Sequence, residues 1–483
     1  MLFRISYLAL IAATFAIGAF AASTDISSAP LSDVEQVPQP GEPRRHLVTL
    51  QSAIELAMHN NLDLGARSTM VTAAEARQAQ ARAASYPKIS GSAILSPIYS
   101  VTGNALNSQS DLDRWGVWVQ STVTILQPLY TWGKLSSLRE AAARGADVAR
   151  AQYRKDSNEI VYEVKELYYG VVLAEQLYTF LEEGKNDVAE IVARTEEDQK
   201  KKRPSIPKRD YYRLKVFSAE AEYRFEEAKK FRYLARHALS LKLGYSPEDE
   251  TLPQDTVISA IESPMPPEQN LVETMAEHRP EFSQLIHGIA AKKALLHVER
   301  TNKYPILFGG GILAFNYSNV RDHQQSAFAY DPYNRNTGGA GVGVQWSWDF
   351  ATILANEAYI RTEIDELERK QQYAKAGFRM ELKKVLAELN ESRTRLNTSR
   401  EAFKVGRKWL VSETMGYSIG LTEVKNLIDA YLARAKTASD YWQAIYRVNM
   451  GWAELSKVVG TEITPGLTKA SINAPGQSGT ETH

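Results

Sequence analysis

Long segments of this chain repeat apolar residues every three or four positions. The segments 133–200 and 351–415 do so over about 65 residues each, and 50–84 and 209–243 over about 35 residues each. This spacing predicts amphipathic helices that pack as coiled coils. At 1.5 Å per residue, the longer pair would extend for about 100 Å and the shorter pair for about half that length. Two short helices stacked end to end would therefore match one long helix.

Between the helices, the stretches 88–126 and 306–348 alternate apolar and polar residues, which predicts two strands of about ten residues in each. The alternation suits a soluble sandwich sheet or a membrane barrel with apolar side chains toward lipid. Four strands cannot close a barrel, and open strand edges cannot lie in lipid. In a membrane, each copy would therefore supply a third or a quarter of a shared barrel. The predicted lipid-facing residues are Val117, Val119, Val344 and Trp346.

The order of these features occurs twice, with a displacement of roughly 217 positions. A helix runs into Tyr86-Pro87 and again into Tyr304-Pro305, and each half closes on Leu-Ser-x-x-x-Gly, ending at Gly244 and Gly460. Such an internal repeat determines the architecture and is considered before any local motif. The predicted divisions are a signal peptide at 1–21, an extended segment at 22–45, a first repeat at 46–244, a Pro-rich linker at 245–267, a second repeat at 268–460 and a disordered tail at 461–483.

The N-terminus has the form of an export signal. Arg4 precedes an apolar run from Ile5 to Phe20, and Ala19-Phe20-Ala21 has the small-x-small pattern of a cleavage site. The run is shorter than the ~20 residues of a membrane-spanning helix. We therefore predict cleavage after Ala21. Because no cysteine would then stand at the new N-terminus, we expect no lipid anchor there.

Composition argues against several functions. The 57 basic and 57 acidic residues balance, which gives no basis for binding nucleic acid. Cysteine is absent, and the eight histidines include no pair at metal-ligand spacing. The glycine-rich stretch 338–343 leads into a strand instead of from a strand into a helix, so it does not suit phosphate binding. With no Ser/His/Asp set or carboxylate pair, we predict no enzyme and no catalytic, cofactor or metal site.

Two helix breaks are stronger candidates for function. In the later break, Gly416 to Thr422, glycine permits a chain reversal and Thr422 could cap the returning helix. Asp429 lies on the same helical face as Thr422. The earlier break, Arg203 to Lys208, contains two prolines and is strongly basic from Lys200 onward. Each break could also be a plain turn, with Asp429 a solvated acid.

Three motifs stand in the same order as the predicted elements: Ala57…Asn61 with Pro87 downstream, Gln127-Pro128-Leu129-Tyr130-x-x-Gly133-Lys134 leading into Ala141, and Gly416-Tyr417-Ser418-Ile419-Gly420-Leu421-Thr422. Taken in this order, these features resemble the TolC-type outer-membrane efflux proteins over about residues 46–460. The resemblance implies a homotrimer in which four strands per subunit complete a twelve-stranded outer-membrane β-barrel. Long coiled-coil α-hairpins would continue the barrel as a periplasmic tunnel, so the fold class is mainly α with a membrane barrel.

The resemblance also implies a gate at the periplasmic tips. The family's tip tyrosine matches Tyr417, and the aspartate that it contacts matches Asp210. Of two constriction aspartates, one matches Asp429 and the other falls on Asn426. A family arginine that helps to lock the closed state falls on Thr422. Residues expected at the adaptor-contacting tips are Gly420, Leu421, Pro204 and Ser205.

The function implied is a passive exit duct in the outer membrane of a Gram-negative cell. It would work in efflux or type I secretion with a periplasmic adaptor (membrane fusion protein) and an inner-membrane transporter of the RND, ABC or MFS type. Outer-membrane lipid is the other expected partner, and no cofactor is implied. The alternative is a structural or adhesive coiled-coil protein anchored in the outer membrane without a conducting lumen.

Overall fold

The computed structural model describes residues 44–104, 106–201, 206–324, 326 and 328–463. The predicted signal peptide, nearly all of the predicted extended segment, most of the predicted tail, and the tip residues Pro204 and Ser205 lie outside this part of the chain. None of the helices in the described ranges is both long and apolar enough to cross a membrane.

The described residues form eight helices and six strands. The helices are α1 (Leu50–Asn60), α2 (Leu62–Ala83), α3 (Lys134–Lys200), α4 (Lys208–Lys242), α5 (Glu268–His278), α6 (Pro280–Thr301), α7 (Phe350–Ser418) and α8 (Val424–Val459). The strands are β1 (Arg45–Val48), β2 (Lys88–Gly103), β3 (Ser108–Tyr130), β4 (Glu250–Pro253), β5 (Ile306–Ser318) and β6 (Asn336–Gln345).

The internal repeat is confirmed by the order and lengths of these elements. In the first half, α1, α2, α3 and α4 contain 11, 22, 67 and 35 residues. Their counterparts α5, α6, α7 and α8 contain 11, 22, 69 and 36 residues, with two strands in the same place. The long helices match the predicted spans closely, since an apolar residue every three or four positions leaves little freedom in a helix of this length.

The segment 50–84, predicted as one helix, is interrupted. Asn61 adopts an extended conformation (φ −66°, ψ 118°) and ends α1, while its side-chain oxygen accepts a hydrogen bond from the Leu64 backbone N–H at 3.0 Å. Arg279 interrupts the second half with nearly the same dihedral angles (φ −65°, ψ 121°), and Pro280 follows it as the first residue of α6. The extended backbone at both positions reorients the chain between the paired helices.

A four-stranded antiparallel sheet has the order β2-β3-β5-β6. The two strands of the first half are longer than the predicted ten residues, with 16 residues in β2 and 23 in β3. In the second half, β6 ends at Gln345, so Trp346 follows the strand and does not belong to it. Both edges of this sheet, β2 and β6, have no further strand partner in the described part of the chain.

A second, parallel sheet joins the start of the first repeat to the linker that follows this repeat. Strand β1 pairs with β4 from Arg45↔Glu250 to Val48↔Pro253. The sequence predicts an extended segment ending at residue 45 and a linker at 245–267, and it gives no indication of this pairing. The Ser240 and Thr251 hydroxyls lie 2.8 Å apart and are buried, which attaches β4 to the end of α4.

Helix α3 is the centre of the helical packing. It lies against α2 and α6 on the side of the four-stranded sheet, and against α4 and α8 toward the other end, while α7 packs on α6 and then on α8. The buried core contains Tyr168 of α3, Leu239 of α4, Leu389 of α7 and Leu455 of α8. Along the sheet side the order is thus α2–α3–α6–α7, and toward the tips it is α4–α3–α8–α7.

Candidate functional site

The turn between α7 and α8, called tip 2 below, is a glycine-terminated helix end. Gly420 has φ +78°, and the Leu421 N–H donates to the Gly416 carbonyl (2.8 Å) while the Gly420 N–H donates to the Tyr417 carbonyl (3.0 Å). These bonds form a Schellman motif, in which a left-handed residue is required and glycine has the lowest cost. The prediction that Thr422 caps α8 is wrong. Glu423 is the N-cap residue, without a side-chain bond.

Thr422 packs on the end of α7 instead. A Cβ placed on Gly416 would lie 2.3 Å from the Thr422 hydroxyl oxygen, so only glycine leaves room for this contact. Glycine is thus required at two positions of tip 2 for different reasons. Gly420 adopts a left-handed conformation, and Gly416 leaves space for the close approach of Thr422.

The two hairpin ends of the chain are joined by a small apolar cluster. We name it the tip cluster: Val192 of α3, Leu214 of α4 and Val424 of α8 are buried together, and Tyr417 and Ile428 pack against them. It is separate from the main core. This cluster holds the α3–α4 end, called tip 1, beside tip 2.

Tyr417 and Asp210 both lie near this cluster, but they do not form the hydrogen bond that the resemblance implies. Asp210 is only 5% exposed. Its carboxylate accepts a hydrogen bond from the Arg213 guanidinium at 3.3 Å and lies 3.6 Å from Arg209 Nε. No bond from the Tyr417 hydroxyl to Asp210 occurs in the described residues. Two arginines on the same helical turn already supply the carboxylate with positive charge.

Asp429 and Asn426 lie one helical turn apart on α8, and both are exposed. The opposite side of this turn carries Val424 and Leu427, which are buried. The described part of the chain offers Asp429 no ion pair within 4.0 Å. The two polar side chains therefore face water in the single chain, at the level of the tip cluster.

A little further along α8, Tyr431 forms an apolar contact with α4. Its ring centroid lies 6.1 Å from that of Phe217. Burial, with a smaller effect of the Asp187 carboxylate, raises the pKa of Tyr431 to about 12, so the phenol is neutral at any physiological pH.

The tips differ in charge. Residues 196–215 contain eight basic and four acidic residues, a net charge of +4. The equivalent residues 412–431 contain one basic and three acidic residues, a net charge of −2. Tip 2 also exposes Leu421 by 81% and Ile419 by 69%. Any partner protein would therefore meet a basic surface at tip 1 and an apolar, mildly acidic surface at tip 2.

The strand register places three of the four predicted lipid-facing residues on a common face of the sheet, while Trp346 follows the end of β6. Val119 is opposite Leu95 on one neighbouring strand and Tyr317 on the other, and Leu307 is opposite Val344. Cross-strand partners share a face, so Val117, Val119 and Val344 lie together. Large exposed apolar residues on this face are Ile89, Leu95, Trp115, Val117, Ile125, Leu313, Phe315, Tyr317, Val342 and Val344.

The other face is composed mostly of polar and small residues. It includes Gln120, Thr122 and Thr124 of β3, together with the glycines of β6 at positions 339, 341 and 343. An exposed apolar face opposite a polar and glycine-rich face is the arrangement of a sheet between lipid and water.

Exposed aromatic residues lie at the junctions between the sheet and the helices. The Trp132 indole N–H donates to the Pro305 carbonyl at 2.7 Å, and its ring contacts Tyr130 and Tyr304. Trp132 has φ +54°, an uncommon conformation for a bulky residue. At the β6–α7 junction, Trp346 contacts Trp348. The repeated Tyr-Pro pairs lie at two of these junctions, Tyr86-Pro87 between α2 and β2 and Tyr304-Pro305 between α6 and β5, and both tyrosines are exposed.

Comparison with known proteins agrees with this architecture. Residues 53–200 match the family model described as outer membrane efflux protein. No curated protein gave a significant match. Among solved structures, the chain is similar to the CmeC outer membrane channel of Campylobacter jejuni, with a TM-score of 0.71 and 16% identity, covering 87% of both chains.

Two further structures give the same result. The outer membrane protein VceC of Vibrio cholerae has a TM-score of 0.65 at 15% identity, with 85% of this chain and 96% of VceC covered. The open state of the MtrE outer membrane channel of Neisseria gonorrhoeae has a TM-score of 0.66 at 15% identity, with 86% and 89% covered. The resemblance to the TolC-type outer-membrane efflux proteins is thereby confirmed, through the family model over residues 53–200 and through the channel fold over more than four fifths of the chain.

Proposed function

We propose that this chain is one subunit of a trimeric exit duct in the outer membrane, through which a partner transporter expels its substrates. The observation that carries the proposal is the four-stranded sheet, which has an apolar exposed face and two unpaired edges. Unpaired backbone groups cannot remain in hydrocarbon. Three copies would join β6 of one subunit to β2 of the next and close a barrel of twelve strands.

The helices support the same head-to-tail association. Helices α2 and α4 form one border of the helical layer, on the side of β2, and α7 forms the other border, on the side of β6. The free borders of the helical layer therefore lie on the same two sides of the subunit as the unpaired edges of the sheet. A heterologous contact of this kind generates a closed ring when the rotation between subunits closes.

The lumen would be lined by the polar and glycine-rich face of the sheet, and it would narrow at the tips. With threefold symmetry, Asp429 would contribute three carboxylates to a ring at the tips and Asn426 three neutral amides. Such a ring favours cations over anions. In this proposal Tyr417 holds the two tips together through the tip cluster, while Asp210 is paired with Arg209 and Arg213 of its own helix and has no direct bond to Tyr417.

The tips are the proposed contact with a periplasmic adaptor, through Gly420 and Leu421 at tip 2 and through Pro204 and Ser205 at tip 1. The adaptor would connect the duct to an inner-membrane transporter of the RND, ABC or MFS type. Export would depend on the predicted signal peptide at 1–21. The proposal for tip 2 is supported by its exposed Leu421.

Mass measurement and single-channel recording of the purified protein test the proposal together. We expect a trimer in detergent, and discrete conductance steps with cation preference after insertion into a planar bilayer. Asp429→Asn should shift the reversal potential in a salt gradient toward lower cation selectivity, while Lys425→Gln, one helical turn away, should not lower it. A folded monomer, or a trimer without conductance, would instead favour the structural or adhesive alternative.

A further inference from the structure

A buried carboxylate at the sheet end of the helical layer is surrounded by three basic groups. Glu357 of α7 is 5% exposed. Lys303 Nζ lies 2.5 Å from its carboxylate, Arg361 donates to it at 3.3 Å, and Arg300 Nε lies 3.7 Å away. Lys303 is the main reason that the pKa of Glu357 is lowered, so the carboxylate is ionised at neutral pH. We name these four residues the basic junction. One cation is enough to neutralise the carboxylate, and two positive charges remain.

The two arginines of the basic junction retain most of their hydrogen-bonding capacity. The Arg361 side chain is 57% exposed and the Arg300 side chain 46%. A guanidinium has five N–H donors, and Arg300 donates no hydrogen bond within the described part of the chain. The neighbouring Glu299 carboxylate accepts hydrogen bonds from the Asn302 and Asn356 amides, at 3.0 Å each. Even with Glu299 included, basic residues outnumber acidic ones by three to two.

The first repeat builds the same helix contact without these charges. When α3 and α7 are aligned from their first residues, Ala141 stands at the position of Glu357 and is likewise buried. Gly145 stands at the position of Arg361, and Ser85 precedes the first Tyr-Pro pair where the second repeat has lysine. Burial of a carboxylate carries a desolvation cost. The fold does not require this cost, so the charges of the second repeat indicate a ligand.

An exposed aromatic path connects the basic junction to the apolar face of the sheet. Trp346 comes two positions after Val344 of that face, and its ring lies 5.9 Å from that of Trp348. The Trp348 ring stacks on Phe350, the first residue of α7, with 6.2 Å between the centroids. All three rings are more than half exposed. Arg361 lies on the same side of α7 as Phe350, because eleven residues make about three helical turns.

The basic junction lies at the depth of lipid phosphates if the sheet lies in a membrane. Aromatic residues flank the hydrocarbon layer around a membrane sheet, and Tyr304 and Phe350 lie in such a band. Lys303 directly precedes Tyr304, and Glu357 is about 10 Å along α7 from Phe350. Headgroups extend about 5–8 Å beyond the hydrocarbon on each side. Lysine and arginine side chains extend along apolar surface toward this layer.

We propose that the basic junction binds the phosphate of an anionic phospholipid, such as phosphatidylglycerol, in the leaflet nearest the helices. Arg300 and Arg361 would donate to the phosphate, because a guanidinium binds this group through paired N–H bonds. The acyl chains would lie along Trp346 and Phe350. A zwitterionic choline headgroup carries an ammonium that the surplus positive charge repels. This inference rests on the proposed position of the sheet in the outer membrane.

Native mass spectrometry of the purified protein in detergent tests this site. The probes are dioleoyl-phosphatidylglycerol and dioleoyl-phosphatidylcholine, and we expect the first to bind more tightly. In Arg300→Gln/Arg361→Gln, phosphatidylglycerol should bind roughly 30-fold more weakly, which is about fivefold for each cation lost. Lys303 remains to neutralise Glu357 in this variant. The control Arg82→Gln/Arg139→Gln removes two exposed arginines near the sheet end of the first repeat and should bind like the native protein.

Glu357→Gln provides a second measurement that separates lipid binding from a structural role. Loss of the carboxylate leaves three cations unopposed, so phosphatidylglycerol should bind more tightly to this variant than to the native protein. If the three cations serve only to neutralise Glu357, the variant changes thermal stability and shows no gain in lipid binding. That result would overturn the proposed site.

The remaining outcomes distinguish the lipid site from the proposed duct. Equal binding of the two lipids by the native protein, or an equal loss in both arginine variants, overturns the lipid site. Release of phosphatidylglycerol by an equal concentration of inorganic phosphate also overturns it, because the ligand would then be a free anion. Each of these results is compatible with a conducting trimer. Selective phosphatidylglycerol binding by a protein that does not conduct would support the lipid site and overturn the duct.

Discussion

Substitution of Leu214 by alanine should weaken the contact between the two hairpin ends. Leu214 is 2% exposed, and it lies in the tip cluster between Val192 and Val424, with Tyr417 packed against the group. This cluster joins tip 1 to tip 2, and among the described residues it is separate from the main core. If the duct opens by separation of the hairpins, the cluster stabilises the closed arrangement.

The magnitude follows from cavity formation. Leucine-to-alanine changes at buried sites cost about 3 to 5 kcal/mol, and sites that can collapse lie at the lower end. The tip cluster has partly exposed neighbours, Ile206 and Ile428, which can move inward. We therefore expect about 3 kcal/mol per subunit. If the whole cost falls on the closed arrangement, its equilibrium against the open one changes by about 100-fold, since 1.4 kcal/mol is a factor of ten.

Single-channel recording in planar bilayers is the appropriate assay. Leu214→Ala should raise the mean conductance or the fraction of time spent in the higher-conductance level. Leu239→Ala is the matched control, because Leu239 lies on the same helix, is fully buried in the main core, and is 25 residues, or about 37 Å, from Leu214. The control should lower thermal stability by a comparable amount without a change in conductance.

Two results would refute the reasoning about Leu214. If both alanine variants raised conductance equally, the effect would report general loosening and not the tip cluster. If Leu214→Ala lost stability by thermal denaturation but conducted like the native protein, the cluster would be stable in both arrangements and would play no part in opening.

Three further predictions concern other parts of the chain. Asn61→Ala should reduce the free energy of unfolding by about 2 to 4 kcal/mol, measured by denaturation in guanidinium chloride. The substitution removes a helix cap worth about 1 kcal/mol, and it leaves the Lys242 carbonyl without the hydrogen bond that the Asn61 amide donates at 2.9 Å. Asn61→Ser should restore only the cap. Burial alone would raise the pKa of Asp331, but three backbone N–H donors and nearby His323 lower this pKa below its ordinary value of 3.8. The Asp331 carboxylate therefore stabilises the β5–β6 loop at neutral pH, and this stabilisation is lost as the pH falls through the lowered pKa. Asp331→Asn should loosen the loop at pH 7, as measured by hydrogen exchange. Val119→Arg should cost about 2–4 kcal/mol in bilayer folding assays whereas Thr122→Arg, on the other face, is tolerated.

The sequence predicted the long helices well because a spacing repeated over more than sixty residues overrides local propensity. The breaks at Asn61 and Arg279 were not predicted, although both carried local signals. Asparagine is among the best N-cap residues, and Pro280 after Arg279 is suited to the first position of a helix. The apolar pattern continues across both positions, and it predicts one uninterrupted helix at each.

Two other features could not be obtained from local patterns. The pairing of β1 with β4 joins residues about 200 positions apart, and four-residue strands give almost no periodic signal. The implied bond between Tyr417 and Asp210 was carried over from the resemblance. This chain places Arg209 and Arg213 beside that carboxylate, and side chains on the same helical turn are better placed to meet it than one from the other hairpin.

The two repeats provide a hydrogen-bond donor to a carbonyl at the end of their last helix, but they use different side chains. At the end of α4, the Lys242 carbonyl accepts a hydrogen bond from the Asn61 amide, and at the end of α8 the Val458 carbonyl accepts one from the Arg279 guanidinium at 3.3 Å. The last carbonyls of any helix lack partners within the helix, so a donor is required at both places whatever its chemistry.

No such backbone requirement fixes the charge of the tips, where one repeat carries +4 and the other −2 over equivalent residues. Gly244 follows α4 and Gly460 follows α8, and both have left-handed conformations. Each lies close to the helix break of its own repeat, Gly244 to Asn60 and Gly460 to Arg279. The duplicated halves therefore share geometry where the fold demands it. They differ in charge at the tips, and the charges +4 and −2 would alternate around the proposed ring of three subunits.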